Sequence, residues 1–184
     1  TYRYAAPVLY YQGRVDEAVD LALTYTPFPA TVCGYLCSNL CMSACTRHSG
    51  LMAPVDIRQL GKASIAAKLP ELPPVTGGHV AVVGGGAAGL SVAWQLRRSG
   101  HAVTVYDHAA GLGGKIAAVI PSSRIPAEVV EAEVERIRQV LPHVHLQQRL
   151  GREDIRQLRE DYDFVVLATG AQQPRTLPVP GKER

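Results

Sequence analysis

The sequence predicts an α/β fold built on a parallel sheet and preceded by a smaller, mainly helical unit, and three observations predict it. From His79 onward, short Val-rich runs alternate with longer helical patterns, the texture of parallel strands joined by crossover helices. The first such run leads directly into a glycine-rich turn, Gly84-Gly85-Gly86-Ala87-Ala88-Gly89. Before His79 no strand pattern is convincing, and all four cysteines fall between Cys33 and Cys45.

In chain order, Gly13 to Thr26 reads as a helix, because Val15, Ala18, Val19, Leu21 and Leu23 place apolar groups largely on one face. Asp16 and Glu17 suit its first turn, and Pro27 and Pro29 stop it. After the cysteines a second helix is expected from Asp56 to Lys68, with Ile57, Leu60, Ile65 and Leu69 as its stripe. Pro70, Pro73, Pro74, Gly77 and Gly78 make residues 70–78 a stiff connector between a helical unit over residues 1–69 and an α/β unit over residues 79–184. In that second unit His79 to Val83, Ala102 to Tyr106, Val144 to Gln147 and Phe164 to Leu167 are the expected strands. Ala87 to Ser99, Pro126 to Val140 and Arg152 to Glu160 are the expected helices, with a long loop after Asp107.

Composition narrows the function classes. Hydrophobic residues make up 47% of 184, enough for one substantial core with an appended unit. The net charge of +3 comes from Lys and Arg scattered among acids, which gives no case for a nucleic-acid or membrane surface. No apolar run approaches the roughly 18 to 20 residues of a membrane-spanning helix. The clustered cysteines do not suit a secreted disulfide framework, so a reducing, cytoplasmic setting is expected. The chain starts at Thr1 without a leader pattern and reads as a fragment of a longer protein. No Ser, Cys or Thr has the base and orienting partner of a hydrolytic nucleophile.

The glycine turn satisfies G-x-G-x-x-G with a strand before it and a helix after it, the context that makes the spacing informative. Gly84 permits the tight turn, Gly86 lets backbone approach a pyrophosphate, and Gly89 lets the helix pack closely on the strand. Ala87 and Ala88 open that helix, whose free N–H groups and positive end suit the pyrophosphate. Asp107, at the carboxyl end of the second strand, is placed to accept hydrogen bonds from an adenosine ribose and to repel a 2′-phosphate. This is a Rossmann-like dinucleotide unit. FAD and NAD share the ADP half that such a turn reads, and a fold that has lost its ligand is the third possibility.

Several runs together carry a resemblance over nearly the whole chain. They are Pro27-Phe28-Pro29, Cys33-x3-Cys37-x3-Cys41-x3-Cys45, Pro54-Val55-Asp56-Ile57-Arg58, the glycine turn, Gly113-Gly114, Ile120-Pro121, Arg124-Ile125-Pro126 and Ala168-Thr169-Gly170. In this order they resemble the small subunit of glutamate synthase and the N-terminal region of dihydropyrimidine dehydrogenase, which are iron–sulfur flavoproteins. Cys41-Met42-Ser43-Ala44-Cys45-Thr46-Arg47 with Val119-Ile120-Pro121 is also similar to the selenate reductase iron–sulfur subunits of that superfamily. Val119 stands where much of the family has Gly, and Asp107 where Glu is usual.

The resemblance implies FAD at the glycine turn, with Gly113 and Gly114 lying against the cofactor and Ala168, Thr169 and Gly170 passing its diphosphate and ribose. Residues 79–184 would then be the first part of an incomplete FAD-binding domain, behind a small iron–sulfur domain over residues 1–69. Four thiols at this density suit a soft-metal site. Cysteines at every fourth position of a regular helix drift around its face and cannot enclose a cube. The stretch must therefore be irregular, as Pro29, Gly34 and Ser38 suggest, or its thiols must be shared among clusters completed elsewhere; the resembling family does the latter with an upstream cysteine group. Zinc, or a buried set of small hydrophobes, are the alternatives for Cys33, Cys37, Cys41 and Cys45.

The expected function is electron transfer in an FAD and [4Fe–4S] oxidoreductase, with NAD(P)H bound on a domain outside this chain and other domains or subunits as partners. The cofactors would carry the chemistry, no side chain reads as an acid, base or nucleophile, and the fragment alone is expected to be inactive. The rival readings are a non-catalytic docking or cluster-carrying module with a vestigial dinucleotide fold, and NAD in place of FAD.

Overall fold

The structure is a computed structural model that describes residues 2–50 and 53–171, with the side chains of residues 2–4, 48 and 49 outside that description. Four parallel strands, β1 (His79–Val83), β2 (Ala102–Tyr106), β3 (His143–His145) and β4 (Phe164–Leu167), lie in the order β3-β2-β1-β4. The helices in chain order are α1 (Tyr2–Tyr11), α2 (Val15–Leu23), α3 (Leu40–Ser43), α4 (Ile57–Ala63), α5 (Ala87–Arg98), α6 (Lys115–Val119), α7 (Ala127–Gln139) and α8 (Arg152–Asp161). A π-helical turn covers Ala30–Leu36 between α2 and α3.

Alternation along β1 assigns the two faces of the sheet. Val80 and Val82 join Val103 and Val105 under Leu90, Ala93 and Trp94 of α5 and Ile137 of α7, while Ala81 and Val83 meet Leu158 and Ile155 of α8 on the other face. Burial on both faces explains why the strand is a near-continuous apolar run. Arg97 and Arg98 in the last turn of α5, and Arg136 and Arg138 in that of α7, complement the negative ends of those helices. Asp154 accepts from Gly151 N at 2.7 Å and closes the start of α8.

The helical half is built onto the outer side of α5. Val19, Leu23, Phe28 and Leu60 belong to the same buried cluster as Val80, Trp94 and Val103. Trp94, fully buried, donates from Nε1 to Leu23 O at 2.8 Å, and Gln95 Nε2 donates to Thr24 O at 3.0 Å. The connector is tied down as well, since Thr76 N and Gly77 N both bond Gly100 O, at 3.0 and 2.9 Å. Gly34 of the π-helical turn and Gly61 of α4 cross backbone to backbone; a Cβ on Gly61 would stand 2.6 Å from Gly34 N.

The structure corrects the sequence reading in four places. α1 has no expected counterpart. The helix expected from Asp56 to Lys68 is α4 alone, capped by Asp56 Oδ1 accepting from Arg58 N at 3.0 Å. It gives way to a 3-10 turn over Ser64–Ala66, where Ser64 Oγ bonds Gly61 O and Arg136 takes the carbonyls of Ser64 and Ile65. The third strand runs over His143–His145 and not to Gln147, because Gln147 has φ 58° and turns back to bond Ala109 O through its amide. The loop after Asp107 contains a short helix, α6. The end of the expected α/β unit, residues 172–184, lies outside the described residues.

Candidate functional site

The carboxyl ends of β1, β2 and β4 open into a cleft of about 840 Å³. Gly84, Gly86, Ala87, Ala88, Asp107, Gly114, Ala168, Thr169 and Gly170 line it, so nine of the expected binding residues converge there; Gly89 and Gly113 stand directly behind it. The position is the one where open α/β sheets bind ligands, at the switch between β1 and β4, where the chain, after running outward through β2 and β3, crosses to the other side of β1.

Backbone proximity explains the glycines. Gly84 has φ 113° and lies against Ala168 O of β4's end, so the turn and the Ala168-Thr169-Gly170 run touch. A Cβ on Gly89 would run into Gly84 O, which is the close helix–strand contact expected of it. Gly113 N donates to Gly85 O at 2.8 Å and Gly113 forms a parallel bridge with Gly86, fastening the second glycine loop to the first. Gly114, at φ 54°, would carry a Cβ 2.8 Å from Gly86 Cα. Gly86 differs: φ is −80° and a Cβ there would meet no atom closer than 3.8 Å, so its bareness keeps the cleft open and is not required by the fold. The first turn of α5 starts at this residue and presents backbone N–H groups that have no partner within the helix.

Asp107 is buried and its carboxylate serves the loops first. Oδ2 accepts from Gly85 N at 2.5 Å and Oδ1 from Ala109 N at 2.7 Å, with His108 Nδ1 3.3 Å from Oδ1. A short acid at the strand end thus braces the glycine turn. Its remaining lone pairs are what it can offer a ribose.

The cysteine stretch is irregular, one of the two arrangements that the spacing left open. The π-helical turn holds Cys33, Cys37 is extended, Asn39 is left-handed at φ 60°, α3 carries Cys41, and Cys45 is extended again before a 3-10 turn over Thr46–Ser49. None of the four forms a disulfide; Cys33 and Cys45 are half-buried and Cys37 and Cys41 are exposed. Buried Asn39 links two of them, its backbone N–H donating to Cys37 Sγ at 3.4 Å and its Oδ1 accepting from Cys41 Sγ at 3.7 Å. Hydrogen bonds from the backbone of Val55 and then Arg47 pull the Cys45 thiol below its ordinary pKa. Among the described residues no three Cys, His, Asp or Glu side chains converge as metal ligands would. These four thiols alone do not fit a [4Fe–4S] cluster.

Comparison with known proteins adds the ancestry. A family model described as an NAD(P)-binding Rossmann-like domain matches residues 82–134. Over 94% of its length the chain is 34% identical to the glutamate synthase [NADPH] small chain of Mycobacterium tuberculosis, and over 95% it is 34% identical to glutamate synthase [NADH] of Schizosaccharomyces pombe. The chain is a homologue of part of glutamate synthase. It spans 36% of the M. tuberculosis small chain and 9% of the S. pombe protein. A similar match, 30% identical over 93% of the chain, is the NADP(+)-dependent formate dehydrogenase subunit beta of Moorella thermoacetica. The homologues are oxidoreductases, each much longer than this chain.

Several cleft residues carry no sequence signal. His108, Gln148, Arg149 and residues 115–118 of α6 line the cleft. Lys115 Nζ reaches across from the start of α6 to donate to Ala171 O at 2.8 Å. A helix of five residues is too short to show a period, so only its place after Gly113-Gly114 could have drawn attention to it. No helix among the described residues is long and apolar enough to cross a membrane.

Proposed function

We propose that this chain is the part of an NAD(P)H-dependent oxidoreductase that binds FAD, with its ADP half on the glycine turn and the rest of the cofactor along Gly114 and Ala168 to Gly170. The carrying observation is that both of these runs are bonded or packed onto the turn itself and line one cleft with it. The second glycine loop offers the remainder of a dinucleotide a surface beyond the ADP half, and the resemblance carried by Gly113-Gly114 and Ala168-Thr169-Gly170 favours FAD over NAD there. FAD, when bound, takes a hydride from reduced nicotinamide and releases the two electrons one at a time.

In this reading the start of α5 faces the diphosphate, Gly86 admits it, Asp107 keeps the turn in shape beside the ribose, and Lys115 and Arg149 supply positive charge at the cleft. NAD(P)H is assigned to another domain of the intact protein. The cysteines are assigned to iron–sulfur sites completed by donors from outside this chain, with the other parts of the oxidoreductase as its partners and a reducing, cytoplasmic setting. Residues 1–69 and 79–184 are the corresponding units, joined by residues 70–78.

Reconstitution with FAD, followed by competition with NAD, tests the reading: flavin absorbance and fluorescence quenching should report uptake that NAD does not displace. Gly86→Val should remove flavin binding and leave the unfolding transition within about 1 kcal/mol, since its Cβ would meet nothing closer than Gly114 Cα at 3.8 Å. Unchanged flavin affinity in that variant would sink the assignment. A folded wild-type chain that takes up no flavin would favour the non-catalytic docking module instead.

A further inference from the structure

Glu133, on α7, is completely buried, yet it lies on neither the cleft nor the cysteine run that the sequence singles out. Its carboxylate accepts from Ala30 N at 2.7 Å and Thr31 N at 2.8 Å. These are the first amides of the π-helical turn that carries Cys33, and a helix start leaves such groups without internal partners. One turn further along α7, Arg136, also buried, donates from Nη2 to Ser64 O and Ile65 O, the carbonyls that end the α4 segment packed on that same turn. Burial pushes the Glu133 carboxyl above the usual carboxylate range, against hydrogen bonds from Thr31 and Ala30 and the charge of Arg136; burial also lowers Arg136.

The next residue on α7, Val134, points to the other side of the molecule's join. A Cβ on Gly113 would stand 3.5 Å from Val134 Cγ2, so α7 backs the loop that floors the cleft. Ala30 completes the contact in an apolar cluster with Ile125, Val129 and Val130, against which Tyr35, Leu36 and Ile116 of α6 pack. Two adjacent residues of one helix therefore touch the cysteine-bearing turn and the second glycine loop.

We propose that Glu133 and Arg136 are positioning residues, a buried polar clamp that seats the cysteine-bearing turn on α7 and so fixes its place relative to the dinucleotide cleft. The functional value of that fixed placement rests on the reading of the cleft and cysteines given above. The physical case does not: two amides and a carboxylate that are all out of reach of water each require the other, and breaking such a set costs far more than forming none. An apolar side chain at 133 would fill the space and leave both amides orphaned.

The test uses the intact protein isolated anaerobically, with Glu133→Gln and Glu133→Ala, and Glu131→Gln as a control on the exposed face of α7. In wild type, hydrogen exchange at Ala30 and Thr31 should be at least about tenfold slower than at Ser38 and Leu40. In Glu133→Gln it should rise about tenfold at Ala30 and Thr31. Alkylation of half-buried Cys33 should accelerate relative to exposed Cys41, and the iron-to-flavin ratio should fall, with flavin content unchanged. General destabilisation would instead speed exchange throughout and leave the ratio of the two alkylation rates as it was. Unchanged exchange at Ala30 and Thr31 in Glu133→Gln, or wild-type exchange there as fast as at Ser38, overturns the clamp. A wild-type protein with flavin but no iron refutes the cysteine assignment while the exchange rates still decide the clamp.

Discussion

Residues 79–171 and residues 2–68 are held in shape by different kinds of contact. In the first, the elements bond one another inside the unit: strands pair in register from His79↔Ala102 to Val83↔Tyr106, and Asp107 and Gly113 hold the turn that opens α5. In the second, the decisive bonds come from far along the chain. Ala30 and Thr31 are held by Glu133, Leu23 by Trp94, and Ser64 by Arg136. The α/β half is the scaffold, and the cysteine half takes its form from that scaffold. A helix with seven residues in π geometry and a following left-handed Asn is a conformation that local propensity does not select.

The contrast can be broken most severely inside the scaffold. Gly89→Ala should cost about 3 kcal/mol or more, because the added carbon meets Gly84 O on a backbone that two hydrogen-bonded loops hold in place. Chemical denaturation should show both halves lost in one transition if the cysteine half depends on the scaffold. Two separate transitions would show that residues 2–68 stand alone.

A smaller effect is expected at the join. Trp94→Phe removes the donor to Leu23 O and some buried volume, for a loss of about 1 to 3 kcal/mol. Hydrogen exchange should increase in α2 more than in β1 or β2. An even increase across the molecule would mean that the join is no weaker than the scaffold itself.

The smallest effect belongs to the far face of the sheet. Tyr106 Oη and Tyr162 Oη share a hydrogen bond of 2.8 Å, and the Tyr106 ring stacks on His145 at 4.9 Å. Burial, followed by the bond to Tyr162, pushes the Tyr106 phenol up to about 12. Because the folded pKa is raised above the unfolded value near 10, its contribution is fully present below about pH 10 and is lost as pH rises toward about 12. Tyr106→Phe should lower stability by about 1 kcal/mol at neutral pH, measured by the denaturant midpoint, and the midpoint difference from wild type should shrink as pH rises toward about 12.

Most of the scaffold was legible because it repeats a period. β1, β2 and β4 fall on the residues that their Val-rich runs mark, and α5, α7 and α8 differ from expectation by one or two positions at their ends. Nine of the eleven expected binding residues line the cleft because the spacing of the glycine turn, and the likeness of the later runs, already ordered them. The unread parts share a cause. α1 contains Pro7 and α6 is five residues long, so neither shows enough period to be counted, and β3, only three residues long, was expected with its bounds one and two residues late. Lys115 and Arg149 are ordinary surface cations in sequence and become cleft residues only when the loops close.

The sequence by itself determined the strand–turn–helix–strand unit and its glycines, because each of those choices is settled by neighbours a few residues away. It also offered an irregular cysteine stretch as one of two ways in which thiols at that spacing could serve a cluster. Only the tertiary structure decided the form of that irregularity, the role of Asp107 as a brace, and the burial of Glu133. In each case the partner is a backbone group brought in by folding, 22 residues away for Gly85 and Asp107 and 103 for Ala30 and Glu133. A polar side chain announces that it needs a partner once buried, but its sequence does not say which one.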